Sequence, residues 1–198
     1  MKADSKSKII LAILLSISLI TTGCTAQWIS VALADLPVLT QMALNIGTLV
    51  TTLQSGKQLN STDAAAIQNI SSQASKDLNL LQSFYKEYKA NPNVGTIQKI
   101  QNVIADISQN LPALLQAAHI SDPVVSVRVT AGVNLILTTV ASFAALMPQN
   151  GMPTVQKAVA QKASIPHAAD LKKQWNQQVC ALSANGSFDS ALSACIAK

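Results

Sequence analysis

Apolar residues recur three and four positions apart over most of the chain, which is the spacing of an amphipathic α-helix. The clearest stripe consists of Ile97, Ile100, Ile104, Ile107, Leu111 and Leu114. A second stripe consists of Ile67, Ile70, Ala74, Leu78, Leu81, Tyr85 and Tyr88. The alternation typical of a half-buried strand is confined to the short stretch 125–129. The pattern therefore predicts an all-α fold.

Proline, glycine and short polar residues divide this pattern into an antiparallel bundle of about five to seven helices. Asp35-Leu36-Pro37 predicts a helix start near residue 36, because a capping residue precedes a proline in the first turn. Ser55-Gly56 predicts the end of that helix. Further helices are expected over the ranges 61–90, 92–109, 123–147, 153–165, 167–183 and 187–196.

Two nine-residue segments, 35–43 and 110–118, share Leu, Pro, Leu, Gln and Ala at the same offsets. Two interpretations stay open. The segments are either similar helix starts in a chain rich in Leu, Ala and Gln, or the trace of a duplicated pair of helices.

Residues 129–147 contain no charged side chain. Their number is close to the roughly 20 residues that a membrane-spanning helix needs. Such a helix is either the central member of a soluble bundle or a membrane span. Arg128 at one end and the amphipathic neighbouring helices favour the soluble core. Residues 36–53 are also uncharged, and we interpret them as a core helix.

The first 24 residues have the organisation of an export signal. Lys2, Lys6 and Lys8 form a basic start, and residues 9–20 form an apolar run too short to span a bilayer. The sequence Thr21-Thr22-Gly23-Cys24 follows. This ending resembles the lipobox of bacterial lipoproteins, although Thr21 stands where Leu is usual.

The lipobox resemblance implies a signal peptide over 1–23, acylation of Cys24 and a location in the bacterial cell envelope. The mature chain, 24–198, is then one helical domain. It would comprise a tether and short first helix (24–35), a main bundle (36–147) and a C-terminal helical region (148–198). Secretion after cleavage behind Ala26 and retention by an uncleaved signal are the alternatives.

The remaining cysteines, Cys180 and Cys195, form an even pair near the C-terminus. In an oxidising compartment they predict a disulfide that staples a C-terminal helical hairpin. Closing a loop of about 15 residues contributes roughly 3 kcal/mol in the chain-entropy model. Two buried thiols that only pack are the alternative.

Charged residues are 12% of the chain, and Glu87 is the sole glutamate, which disfavours paired carboxylates for acid–base catalysis. Loss of the signal lowers the net charge from +5 to +3, because three lysines and one aspartate leave with it. No basic run interleaved with aromatic residues supports nucleic-acid binding. His119 and His167 lie at predicted helix ends and belong to no metal-binding motif. We expect no catalytic residue, no metal and no cofactor.

These observations favour a non-catalytic lipoprotein that is tethered to a membrane and binds an envelope protein partner or helps organise an assembly. Two alternatives remain. Alanines opposite Leu and Ile would leave a cavity for a small apolar ligand or lipid, or residues 129–147 would span the bilayer. Trp175 is expected to cover the edge of the core, and Trp28 lies either at the bilayer interface or in the core.

Overall fold

The computed structural model describes residues 29–49, 59–147 and 167–180. Within these ranges the chain is helical and contains no strand, which confirms the predicted all-α class. The five α-helices are α1 (Ile29–Leu49), α2 (Ser61–Ala90), α3 (Val94–Ala117), α4 (Pro123–Leu146) and α5 (Ala168–Trp175). A π-helical turn, Asn176–Cys180, continues α5.

Three of these helices begin at a side chain that caps them. The Asn60 side chain accepts a hydrogen bond from the Asp63 N–H at the start of α2, and Asn93 accepts one from the Thr96 N–H at the start of α3. Asp122 accepts from the first free N–H groups of α4, which confirms the start predicted at Asp122-Pro123. Each cap satisfies backbone donors that have no partner within the helix.

Two predicted helix boundaries, each close to a proline, are wrong. The helix expected to begin near residue 36 is already formed at Ile29 and runs through Pro37. The helix expected to end near residue 109 continues through Pro112 to Ala117. Pro37 is exposed and Pro112 half-buried. On the solvent-facing side of a helix, the backbone carbonyl left without a hydrogen bond by the proline can turn toward water. The opposite face of the helix still packs in the core. The two similar segments are therefore not helix starts.

Contacts between side chains define the direction of each helix. Ser71 Oγ of α2 donates to the Ala43 carbonyl of α1 at 2.7 Å, and Gln68 Nε2 donates to the Gly47 carbonyl at 3.1 Å, so α1 and α2 are antiparallel. Glu87 at the end of α2 accepts a hydrogen bond from Thr96 at the start of α3, so this pair is antiparallel too.

The fourth and fifth helices complete the bundle. The Tyr85 and Phe143 rings meet edge to face with centroids 6.4 Å apart, so the end of α4 lies beside the end of α2. Helix α4 is therefore parallel to α2 and antiparallel to α3. Helix α5 packs against α4 and reaches α1 through Ala168.

The two apolar stripes form much of the core, as predicted. All seven residues of the α2 stripe are buried. In α3, Ile100, Ile107 and Leu111 are fully buried, whereas Ile97 and Leu114 are half-buried and pack against the core. Phe143 and Trp175 are also buried, which confirms the packing role expected for Trp175.

Candidate functional site

Only one of the three cysteines to which the sequence assigns a role lies among the described residues. Cys180 is buried at the end of the π-helical turn, while Cys24 and Cys195 fall outside the described ranges. No disulfide joins two residues within those ranges. The pairing of Cys180 with Cys195 and the acylation of Cys24 therefore stay predictions.

The two histidines are exposed and lie on different elements. His119 follows α3 with φ at 43°, a left-handed conformation that ends the helix. His167 precedes α5 and makes no capping hydrogen bond through its side chain. Within the described part of the chain, no group of three His, Cys, Asp or Glu side chains is placed to hold a metal ion.

Several carboxylates tie parts of the bundle together. Asp63 is buried, and its Oδ2 accepts a hydrogen bond from the Ser121 N–H at 2.8 Å, which connects the start of α2 to the turn before α4. Glu87 Oε1 accepts from the Thr96 hydroxyl at 2.8 Å and from Lys99 Nζ at 3.0 Å. The hydrogen bonds from Thr96 and Lys99 lower the pKa of the Glu87 carboxyl.

Asp35 connects α1 to the start of α5. The carboxylate is buried with 1% exposure and accepts a hydrogen bond from the Ala168 N–H, the first residue of α5. Its Oδ2 atom is also buried and has no hydrogen-bond partner among the residues that the structure describes. Burial raises the pKa of Asp35, an effect that His167 and the Ala168 N–H oppose and Asp170 reinforces. Asp35 thus caps a helix far along the chain instead of its own.

Small residues let the helices approach closely. A Cβ atom on Gly47 would stand 2.7 Å from Ser71 Oγ, so only glycine fits that position without a shift. A Cβ on Gly132 of α4 would stand 3.1 Å from the Trp175 ring and 3.4 Å from Ile46 of α1. At these two places small residues make room for a neighbouring helix or ring rather than for a cavity.

The outer faces of α1 and α4 carry no charge. Each helix contains one charged residue, Asp35 in α1 and Arg128 in α4, and both side chains are 1% exposed. Leu44, Val124 and Val127 are instead exposed on these helices. The exposed charges of α2 and α3 are Lys76, Lys86, Glu87, Lys89, Lys99 and Asp106. The bundle therefore has charged and charge-free sides.

Both charge-free helices are long and apolar enough to cross a membrane by length and composition alone. The most apolar windows of Ile29–Leu49 and Pro123–Leu146 have mean hydropathies of 1.5 and 1.8, and 44% of each is buried. A core helix of a soluble protein meets the same criteria, and so does a signal sequence near an N-terminus. Their hydropathy alone therefore does not make either helix a membrane span.

Comparison with known proteins finds no matching family model, no matching curated protein and no matching solved structure.

Proposed function

We propose that this chain is a lipoprotein of a bacterial cell envelope, held at a membrane by acyl chains on Cys24, and that its helical part is a non-catalytic binding or assembly module. The observation that carries the proposal is Thr21-Thr22-Gly23-Cys24, directly after a basic start and an apolar run. A secreted protein cleaved behind Ala26 is the alternative location.

The position of α1 supports a tether close to the helical part. Cys24 is followed by residues 25–28 before Ile29, which is already helical and buried. A fully extended chain spans at most about 17 Å from Cys24 to Ile29. A bundle on such a short tether would remain next to the bilayer, where a membrane partner or an envelope protein can be reached.

The structural use of the polar groups supports a role without catalysis. Buried Asp63 and Asp35 hold a turn and a helix start in place, and Glu87 joins α2 to α3. His119 and His167 lie after α3 and before α5, on separate elements. These groups explain how the helices are fixed, and they do not converge on one cleft as catalytic groups do.

A disulfide between Cys180 and Cys195 belongs to the same proposal, because an exported chain reaches an oxidising compartment. Cys180 ends the π-helical turn that continues α5. A bond to Cys195 would staple the C-terminal region as a hairpin onto the bundle. The exported protein should then show no reactive thiol before reduction, and labelling of both cysteines without reductant would contradict the bond.

Intact mass and membrane fractionation after expression in a bacterium test the anchor. We expect a mature chain that begins at Cys24, carries the mass of acyl chains and stays in the membrane fraction. Cys24→Ala should lack the acyl mass and leave the membrane. Thr25→Ala, the matched control, changes the next residue and should behave as the native chain does. A soluble native protein that begins at Gln27 would overturn the anchor and support secretion.

A membrane-embedded protein is the second candidate, and the mean hydropathy of 1.8 in α4 favours it. In that case both the native chain and Cys24→Ala would remain in the membrane fraction after the signal is removed. The third candidate, a carrier for a small apolar ligand, finds less support at the α1–α2 contact. There Gly47 and Ser71 bring the helices together and leave no room between them.

A further inference from the structure

The end of the bundle where α1 begins is also the end that carries exposed lysines. Ser71 bonds to Ala43 across the antiparallel pair α1 and α2. Ile29 and Tyr85 each lie about 14 residues from this contact, which is roughly 21 Å along each helix axis. The start of α1 is therefore level with the last turns of α2, beside the start of α3 and the end of α4.

Three lysines lie at this end, and we call them the basic end: Lys86, Lys89 and Lys99. All three are exposed. Lys99 forms an ion pair with Glu87 at 3.0 Å and lies 5.3 Å from the centre of the Phe84 ring. Lys86 and Lys89 form no ion pair with another described residue. With Glu87 as the carboxylate in direct contact, the basic end keeps a positive charge.

The opposite end of the bundle has a different charge. Asp63 and Asp122 lie at the starts of α2 and α4. The one cationic residue of α4 is Arg128, and its side chain is buried. Neither 59–75 nor 100–127 contains a lysine or arginine. Among the described residues of α1 to α4, positive charge is thus displaced along the bundle axis toward the start of α1, where the chain leads back to Cys24.

We propose that the basic end rests on the headgroups of anionic phospholipids when the chain is tethered through Cys24. This inference depends on the proposed anchor. The tether holds the start of α1 within about 17 Å of the acylated residue, so the nearby lysines enter the field of the membrane surface. That field decays over about 8 Å at physiological ionic strength. Lysines at this end would feel it, whereas Lys76, about 15 Å further along α2, would not.

The experiment measures the rate of amine labelling at each lysine of the acylated protein. The protein is reconstituted into vesicles of phosphatidylcholine alone or of phosphatidylcholine mixed with phosphatidylglycerol. We expect Lys86, Lys89 and Lys99 to label severalfold more slowly on the anionic vesicles, with Lys76, Lys172 and Lys173 unchanged. High salt should remove the protection. Equal rates on the two kinds of vesicle would overturn the docking.

Two matched double variants identify the surface. In Lys86→Gln/Lys89→Gln the protection of Lys99 on anionic vesicles should be lost. In Lys172→Gln/Lys173→Gln, which removes the same charge from α5, the protection should remain. Circular dichroism before reconstitution establishes that both variants are folded. Loss of protection in both variants would mean that net charge, rather than the basic end, orients the protein.

The mass of the same samples separates this inference from the anchor. Acylated protein with unprotected lysines contradicts the docking and leaves the anchor intact, and it would direct attention to an acidic protein as the partner of the lysines. If the chain carries no acyl mass, the anchor is wrong, and the docking is tested by sedimentation with anionic vesicles. There Lys86→Gln/Lys89→Gln should bind about 25-fold more weakly than the native chain, about fivefold for each lysine. Equal binding would overturn it.

Discussion

At the scale of single residues, one close contact fixes how α1 and α2 lie together. The absent side chain of Gly47 leaves space for Ser71 Oγ, which donates to the Ala43 carbonyl at 2.7 Å. Gln68 bonds to the Gly47 carbonyl one turn away. Buried side-chain donors that reach a backbone carbonyl of another helix set both the distance and the register of the pair.

Gly47→Ala should destabilise the protein through Ser71. The new methyl group would displace the Ser71 hydroxyl from its buried hydrogen bond, at a cost of about 1–3 kcal/mol. The higher helix propensity of alanine would offset about 1 kcal/mol of this cost. In a Ser71→Ala background this hydroxyl is gone, so the same substitution should be neutral or stabilising. Urea unfolding of the four proteins measures the coupling, and strictly additive effects would contradict the contact.

Asp35 should make stability depend on pH. Burial raises the pKa of this carboxyl above its value in the unfolded chain, so the native state binds the proton more tightly. Its contribution to stability is full below about pH 4 and is lost as the pH rises through the native pKa. Asp35→Asn has no such proton. We therefore expect the difference in unfolding free energy, native sequence minus variant, to fall as the pH rises above about 4. A difference that stays constant with pH would contradict the raised pKa.

At the scale of secondary-structure elements, the burial of apolar side chains outweighs the cost of an internal proline in two helices. Pro37 lies inside α1 and Pro112 inside α3, and neither contributes the N–H that an uninterrupted helix uses. Next to them, Leu36 and Leu111 are fully buried. Burying a leucine contributes about 1.5–3 kcal/mol, comparable with the cost of the proline. Several such residues on one face keep each helix continuous.

Pro37→Ala and Pro112→Ala should each raise the free energy of unfolding by about 1–2 kcal/mol. Alanine restores a backbone hydrogen bond of the helix. Part of this gain is offset because the unfolded chain has more conformational entropy with alanine than with proline. Pro123 is the matched control, because it occupies the first turn of α4, where proline is tolerated. Pro123→Ala should bring no gain. Equal effects at all three positions would show that helix interruption is not the cause.

The same helices indicate which features a sequence can reveal. The stripes of α2 and α3 were predicted because their spacing is local and repeats over several turns. The start of α4 was predicted because Asp122 and Pro123 are adjacent. The boundaries near Pro37 and Pro112 were wrong because core packing on the opposite face outweighs the proline. In α3 the apolar spacing that indicates this packing continues past Pro112 to Leu114. The role of Asp35 was missed because its partner, Ala168, lies on a helix that only the tertiary fold brings near.

At the scale of the whole molecule, α5 joins the first and fourth helices. Asp35 caps α5 at its start, and Trp175 packs over Gly132 within reach of Ile46 at its end. Helix α5 therefore contacts α1 at its start and both α4 and the neighbourhood of α1 at its end. Such mutual support favours unfolding as one unit.

Trp175 provides a direct measure of that cooperation. In Trp28→Phe it is the only tryptophan, and its indole is 2% exposed in the native state. We expect Trp175 fluorescence and far-ultraviolet circular dichroism to change at the same urea concentration. Trp175→Ala should lower the unfolding free energy by about 3–5 kcal/mol. A fluorescence change at lower urea than the dichroism change would mean that α5 detaches first.

Under the export proposed above, the burial of Asp35 and Arg128 also has a consequence for translocation. An apolar helix that passes through the export channel can leave it sideways into the lipid. One charged residue near the middle of such a segment opposes this partition by about 2.5–3.5 kcal/mol. In α1 and α4 the one charged residue lies within the first third of the helix, where the cost is smaller than at the middle, and the folded bundle later conceals it. Asp35 and Arg128 would therefore each oppose the entry of their own segment into lipid before any tertiary contact exists.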